Sequence, residues 1–330
     1  MSAPITPEER ARVLDEGERW FIRHGLPYFV VAEREAARAG LRPTRLALVV
    51  GLAVLVGAAL GMVVGWAARP SLGLSTGMTA AGLVTALYAL TTLRAGPIAR
   101  WGVRRTFGSL GLLVPLVTRG LPLLLIFITF LFINAEVWEL SAGLDGGVLW
   151  VVVLFFGAFG VGFLLAELPD ELAGVDHPDS ADRLLARLRK TPFAAGMVEP
   201  EALVAEGRSR LHGFQRANLV LVLLVAQAVQ VLLLALTVFL FFIVFGMVAM
   251  QPDLVSSWTG VEDPTALLGI GSLTPELVQV SVFLAAFSGL YFTVTAVTDE
   301  LYRKEFFTAV TDELERAVAA RAAYQALRAE

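Results

Sequence analysis

The side chains able to do chemistry are few, and most are placed poorly for enzyme work. The 330 residues include no cysteine and three histidines, His24, His177 and His212. That removes disulfides, thiolate catalysis and Cys-ligated metal. No HExxH, GxSxG or phosphate-loop motif occurs. Asp176, His177, Asp179 and Asp182 gather metal-capable groups in one short stretch. Pro178 interrupts it and a helix start follows, where acids favour the positive end of the helix. No metal, cofactor or catalytic residue is therefore assigned, and the chain reads as not an enzyme.

The remaining polar side chains of interest interrupt apolar runs. Glu136 and Glu139 lie one helical turn apart beside Trp138. In an oligomer they could form an acidic outer mouth that selects cations; the bland alternative is two solvated acids with Trp138 as an interfacial anchor. Gln227 and Gln230 stand three apart in a long hydrophobic run. Amides in hydrocarbon need partners, so they face other helices, either as a clamp or as the lining of a polar path. The last run carries Ser281, Ser288, Tyr291 and Thr295, and is the most polar of the set. Its residues complete the candidate polar lining. A basic cluster, Arg100, Arg104, Arg105 and Arg119, precedes the run that holds the two glutamates.

Elements that could position these groups follow from composition. With 56% hydrophobic and 17% charged residues, the chain departs far from a soluble domain, which is about 25% charged. A bilayer core about 30 Å thick needs about 20 apolar helical residues. Six stretches qualify: Leu46–Ala68, Leu72–Leu93, Leu121–Leu140, Val148–Leu168, Leu219–Phe245 and Leu277–Val297. Their only ionisable residues are Glu136, Glu139 and Glu167, all near span ends. That argues against proton relays and charged coupling sites within the membrane. The run Phe107–Thr118 is too short to cross and reads as a re-entrant or interfacial helix before the third span. The expected fold is an all-α polytopic bundle of six transmembrane helices.

Orientation follows from the basic residues. Of 26 Arg and Lys, 25 fall in alternate segments and one, Arg69, in the others. The positive-inside rule then puts both termini in the cytoplasm, in the plasma (inner) membrane of a bacterium. The domain layout is 1–45, cytoplasmic amphipathic helices; 46–168, four spans; 169–216, a cytoplasmic helical loop; 217–297, two spans; and 298–330, a cytoplasmic helix. Thr6, Pro7 and Glu9 form a capping box at the first helix. Trp20, Phe21, Tyr28 and Phe29, interleaved with Arg19 and Arg23, suit either the headgroup layer or packing against the cytoplasmic loop.

Glycine spacing supplies the last pattern. Gly57, Gly61 and Gly65 form a GxxxGxxxG row in the first span, and Gly73 and Gly77 follow in the second. Such rows let helix backbones approach closely, either between these two spans or between subunits. Gly157, Gly160 and Gly162 lack the preceding strand of a nucleotide fingerprint and read as helix contacts.

Three patches resemble segments of a family of actinobacterial multi-pass integral membrane proteins. They are Leu121–Leu123 through Phe132–Trp138, Leu290–Thr293 running into Thr298–Phe306, and Arg23–Phe29. The resemblance implies a multi-pass membrane fold and brings no activity, cofactor or site residue with it. The leading functional expectation is a homo-oligomeric, channel-like or passive-transport protein of the lipid bilayer. The alternatives are a non-transporting scaffold or regulatory protein that binds a cytoplasmic protein, and a transporter with a neutral substrate site. No nucleic-acid partner is expected.

Overall fold

A computed structural model describes residues 6–108, 125–144, 146–175, 181–194, 213–262, 265–298 and 315–328. Among these the secondary structure is helical, with no strand. The helices are α1 (Pro7–Arg23), α2 (Val31–Gly40), α3 (Pro43–Ala67), α4 (Pro70–Thr91) and α5 (Ala95–Gly108). They continue with α6 (Leu125–Phe132), α7 (Ala135–Ala142), α8 (Gly146–Val175), α9 (Ala181–Leu188) and α10 (Phe214–Ala249). The last are α11 (Pro252–Thr259), α12 (Pro275–Thr298) and α13 (315–328).

Five helices, α3, α4, α8, α10 and α12, are long and apolar enough to cross a membrane. The chain is a helical membrane protein. The expected third span differs from a straight helix: α6 and α7 meet at 72° around Ile133 and Asn134. Asn134 explains the break. Its backbone is extended and its side chain accepts a 2.8 Å hydrogen bond from the Glu136 amide, so it caps a new helix rather than continuing the old one. The pair makes a sixth span if it is counted as one broken crossing. The expected interfacial helix 107–118 and Arg119 fall largely outside the described residues, as do residues 195–212 of the expected cytoplasmic loop and 299–314 of the expected C-terminal helix.

Glycine decides how α3 and α4 meet. A Cβ built at Gly57 would lie 2.8 Å from the Gly77 carbonyl oxygen, and one at Gly61 would lie 2.9 Å from that of Gly73. A Cβ at Gly77 would lie 2.7 Å from the Gly57 oxygen. Gly65 completes the seam more loosely, 3.5 Å from the Gly73 Cα. Backbone packs on backbone with no room for a methyl group, the expected outcome of small-residue rows in lipid. Only 11% of the apolar stretch of either helix is buried. Much of the rest, including Val54, Leu55 and Trp66, is exposed, as a lipid-facing surface must be.

The other spans pack through large side chains. The apolar stretch of α12 is 50% buried, and it lies between α8 and α10. Phe132 of α6 stacks on Phe242 of α10 with centroids 4.7 Å apart, and Phe245 closes edge-on at 5.5 Å. Trp138, fully buried, donates from its indole nitrogen to the Phe132 carbonyl at 2.7 Å. This corrects the reading of Trp138 as an interfacial anchor. The bend at Asn134 turns the ring back onto Phe132, and Trp258 of α11 covers it at 6.2 Å.

At the opposite end, segments distant in sequence make one folded cap. The capping box of α1 forms: Thr6 Oγ1 accepts from the Glu9 amide at 3.3 Å. Trp20, Phe21, Tyr28, Phe29 and Val30 are buried. The aromatic stretch therefore packs within the protein and does not lie among headgroups. Phe21 meets Phe29, Phe193 and Tyr324, joining α1 to the segment after α9 and to α13. The Tyr324 hydroxyl donates to Glu18 at 2.6 Å, and Arg187 pairs with Glu315.

Candidate functional site

Two side-chain amides on α10 show what a buried polar group can do here. Asn218 stands one turn into the helix, fully buried. Its Oδ1 accepts from the Tyr28 amide at 2.8 Å, and its Nδ2 donates to the Gly25 carbonyl at 2.9 Å. That turn exists because Gly25 has φ +74°, a left-handed value that only glycine adopts without strain. A Cβ there would also press on Trp101 of α5 at 3.2 Å. One asparagine thus locks the α1–α2 turn onto the start of the longest span. The sequence reading missed Asn218. Its only signal was a lone amide at the head of an apolar run.

Around this lock several polar groups find partners. The Tyr28 hydroxyl donates to the Leu93 carbonyl at 2.6 Å, and Tyr88 donates to the Gly40 carbonyl at 2.6 Å. Arg94 pairs with Glu33 at 2.8 Å. Arg104 donates to the Arg23 carbonyl at 3.0 Å, and Arg100 is exposed. The expected basic cluster is thus partly consumed in holding α5 to α1. The side chain of Arg105 and all of Arg119 lie outside the described residues. Burial pushes the Tyr28 hydroxyl upward. Burial, then its bond to Glu18, pushes Tyr324 up to about 12.

Gln227, nine residues further along α10, is 2% exposed, yet neither end of its amide has a hydrogen-bond partner. Gln230 Oε1 is likewise buried and unpartnered. Each such group costs about 1–3 kcal/mol when left unmade. In a native protein it calls for a specific explanation, such as an ordered water or a ligand. The Gln227 amide and the Gln230 oxygen thus make none of the interhelical hydrogen bonds that a clamp would use.

Polar residues of α12 are treated differently. Ser288 donates to the Leu284 carbonyl at 2.6 Å and Thr295 to that of Tyr291 at 3.0 Å, so both hydroxyls turn back on their own helix. Tyr291 is 41% exposed and stacks on Phe127 at 5.8 Å. Ser281 Oγ is fully buried and unpartnered. Its helix runs antiparallel to α10, with Leu277 against Gly246 and Gly289 beside Val231. That places Ser281 roughly 18–22 Å along the axis from the two glutamines. Ser288, Tyr291 and Thr295 lie near the level of the two glutamines on that register, but Ser281 is remote and the Ser288 and Thr295 hydroxyls are bonded to their own helix, so the candidate lining is not one site.

At the far end Glu136 and Glu139 are exposed on α7. Glu276, in the first turn of α12, is 8% exposed with one carboxylate oxygen unpartnered. The positive end of the helix favours its charge. Ser141, on the α7 face that packs against α12, is buried with its hydroxyl also unpartnered. Gln279 donates to the Leu144 carbonyl at 3.4 Å nearby.

No protein family, curated protein or solved structure matches the chain.

Proposed function

We propose a six-crossing membrane protein, both termini cytoplasmic, that passes small uncharged polar solutes down their gradient. The topology is supported from two directions. Segments from the N-terminal, middle and C-terminal parts pack into one cap at one end of the bundle, which requires an even number of crossings between them. The arginine distribution then assigns that end to the cytoplasm.

The observation that carries the transport reading is the Gln227 amide, buried in the membrane bundle with donor and acceptor both unused. An amide offers both hydrogen-bonding roles without charge. It suits a polyol, urea-like solute or water better than an ion. The span centres hold no Asp, Glu, Lys, Arg or His that could compensate a charge. The Phe132, Phe242 and Phe245 stack fills the bundle nearer the other end and serves as the barrier that closes such a path. The glycine row packs α3 against α4 within one chain, so it needs no second copy to account for it, and our reading puts the passage within a single copy.

Reconstituted liposomes test this by light scattering under glycerol, urea and sucrose gradients. Glycerol or urea entry is expected to outpace that of empty liposomes, and Gln227→Leu with Gln230→Leu returns it to background while the fold is kept. Wild-type entry equal to that of empty liposomes for every solute would overturn the reading. One observation favours a second reading, a scaffold: segments distant in sequence are bonded into one cap that offers a surface to another protein. Failure of transport together with a defined stoichiometric cytoplasmic partner would select it.

A further inference from the structure

A cleft opens laterally among α8, α10 and α12, and Gln227 is not among the residues that line it. Its volume is about 340 Å³. Each helix lines it over a matching stretch, 153–164, 228–239 and 282–293. Each stretch of twelve residues rises roughly 16 Å, about half of a hydrocarbon core near 30 Å thick. The cleft therefore has the length of one leaflet's hydrocarbon, and it lies along the spans.

Its walls carry no charged residue. The one polar side chain is Thr293, and its hydroxyl is spent on the Gly289 carbonyl at 2.8 Å. Depth comes from missing side chains. A Cβ at Gly157 would meet nothing within 4 Å, and one at Gly160 nothing closer than 3.7 Å. At the α3–α4 seam the glycines are filled by a neighbouring backbone, whereas here the space they leave is open. Leu232, Leu236 and Val161 on the rim are exposed, so the opening faces lipid. Water gains nothing in such a cavity, because apolar voids stay dry. Empty walls forfeit dispersion contacts that a hydrocarbon would supply.

We infer that this cleft holds one hydrocarbon chain of a bilayer lipid as a bound ligand, distinct from the lipid that coats α3 and α4. Recognition is of the chain and not of the headgroup, since no polar or charged group lines the walls free to bind one. Dispersion contact and exclusion from the bulk leaflet hold it. The inference does not depend on transport.

A phosphatidylcholine with a diazirine midway along one acyl chain, in nanodiscs with the full chain, tests it. After photolysis, adducts mapped by peptide mass spectrometry are expected on residues such as Gly157, Ala235 and Ala286. They should be several times denser there than on Val54 and Leu55, which face lipid on α3. Gly157→Phe fills the space without meeting backbone and should lower labelling at Ala235 and Ala286 severalfold, with α3 unchanged. Thr293→Val should leave labelling as it is. Adducts spread evenly over cleft and α3 in the wild type would overturn the proposal, whatever the variant does. So would cleft labelling that survives Gly157→Phe in a protein of unchanged melting temperature.

Discussion

Asn218 and Gln227 carry the same functional group on the same helix, nine residues apart, and the structure treats them oppositely. At the cap the amide is used at both ends and fixes a turn from elsewhere in the chain. Inside the bundle it is buried with both ends idle. At the cap many hydrogen-bonding groups answer one another, although Arg34 Nε is buried without a hydrogen bond. The bundle is assembled by shape, through glycine seams and stacked rings, and leaves a few polar groups over. Those leftovers point to function, and the answered ones point to architecture.

The sharpest way to break that contrast is Asn218→Leu. It strips partners from the Tyr28 amide and the Gly25 carbonyl, both buried. The expected loss is about 2–5 kcal/mol, read as a fall in melting temperature with release of the α1–α2 turn to proteolysis. Next is Gly73→Val, which pushes a side chain into the α3 backbone. A loss of about 1–3 kcal/mol is expected from overpacking, along with a wider α3–α4 distance between spin labels. Gln227→Leu runs the other way. Removing an unanswered amide from lipid should leave stability unchanged or raise it by about 1 kcal/mol. A marked destabilisation would show that Gln227 is architectural after all.

Titration sharpens the same comparison at the cap. Tyr324 is held protonated up to about 12 in the fold, against an unfolded value of about 10. Between those values the unfolded chain has released a proton that the folded chain keeps, so stability falls as pH rises. Its contribution is fully present below about pH 10 and fades toward 12. Tyr324→Phe should flatten that alkaline arm of a melting-temperature profile. The smallest effects are expected of Glu136→Gln and Glu139→Gln. Both side chains are exposed, so stability should move by less than about 0.5 kcal/mol. Cation preference should stay as it is if the acids are merely solvated; a change in the conductance of reconstituted liposomes would restore the acidic-mouth reading.

Much of the frame was legible in the sequence, because hydropathy and glycine spacing are local signals. The row Gly57, Gly61 and Gly65 pointed to close backbone contact, and Gly73 and Gly77 supply the other side. Thr6, Pro7 and Glu9 marked the first helix start. The break in the third run was not legible, since an apolar window cannot see one Asn134 turning its side chain onto the Glu136 amide. Trp138 was misjudged for the same reason: a bend of 72° decides whether an end-of-span tryptophan faces headgroups or core. The site was less legible still. Gln227 and Gln230 stood out by type, but whether an amide is answered depends on neighbours distant in sequence. Ser281, Ser288 and Thr295 could not be sorted by spacing, because two hydroxyls bond their own helix and one does not.

The bond between Tyr324 and Glu18 joins residues 306 positions apart, and it has a consequence for how the protein is made. About 300 residues must follow α1 off the ribosome before α13 can cover Phe21 and Phe193. Until then the first helix waits with its aromatic face uncovered, while span after span enters the bilayer. A product that stops short never buries that face and stays open to proteases. A helix made late therefore certifies one made early.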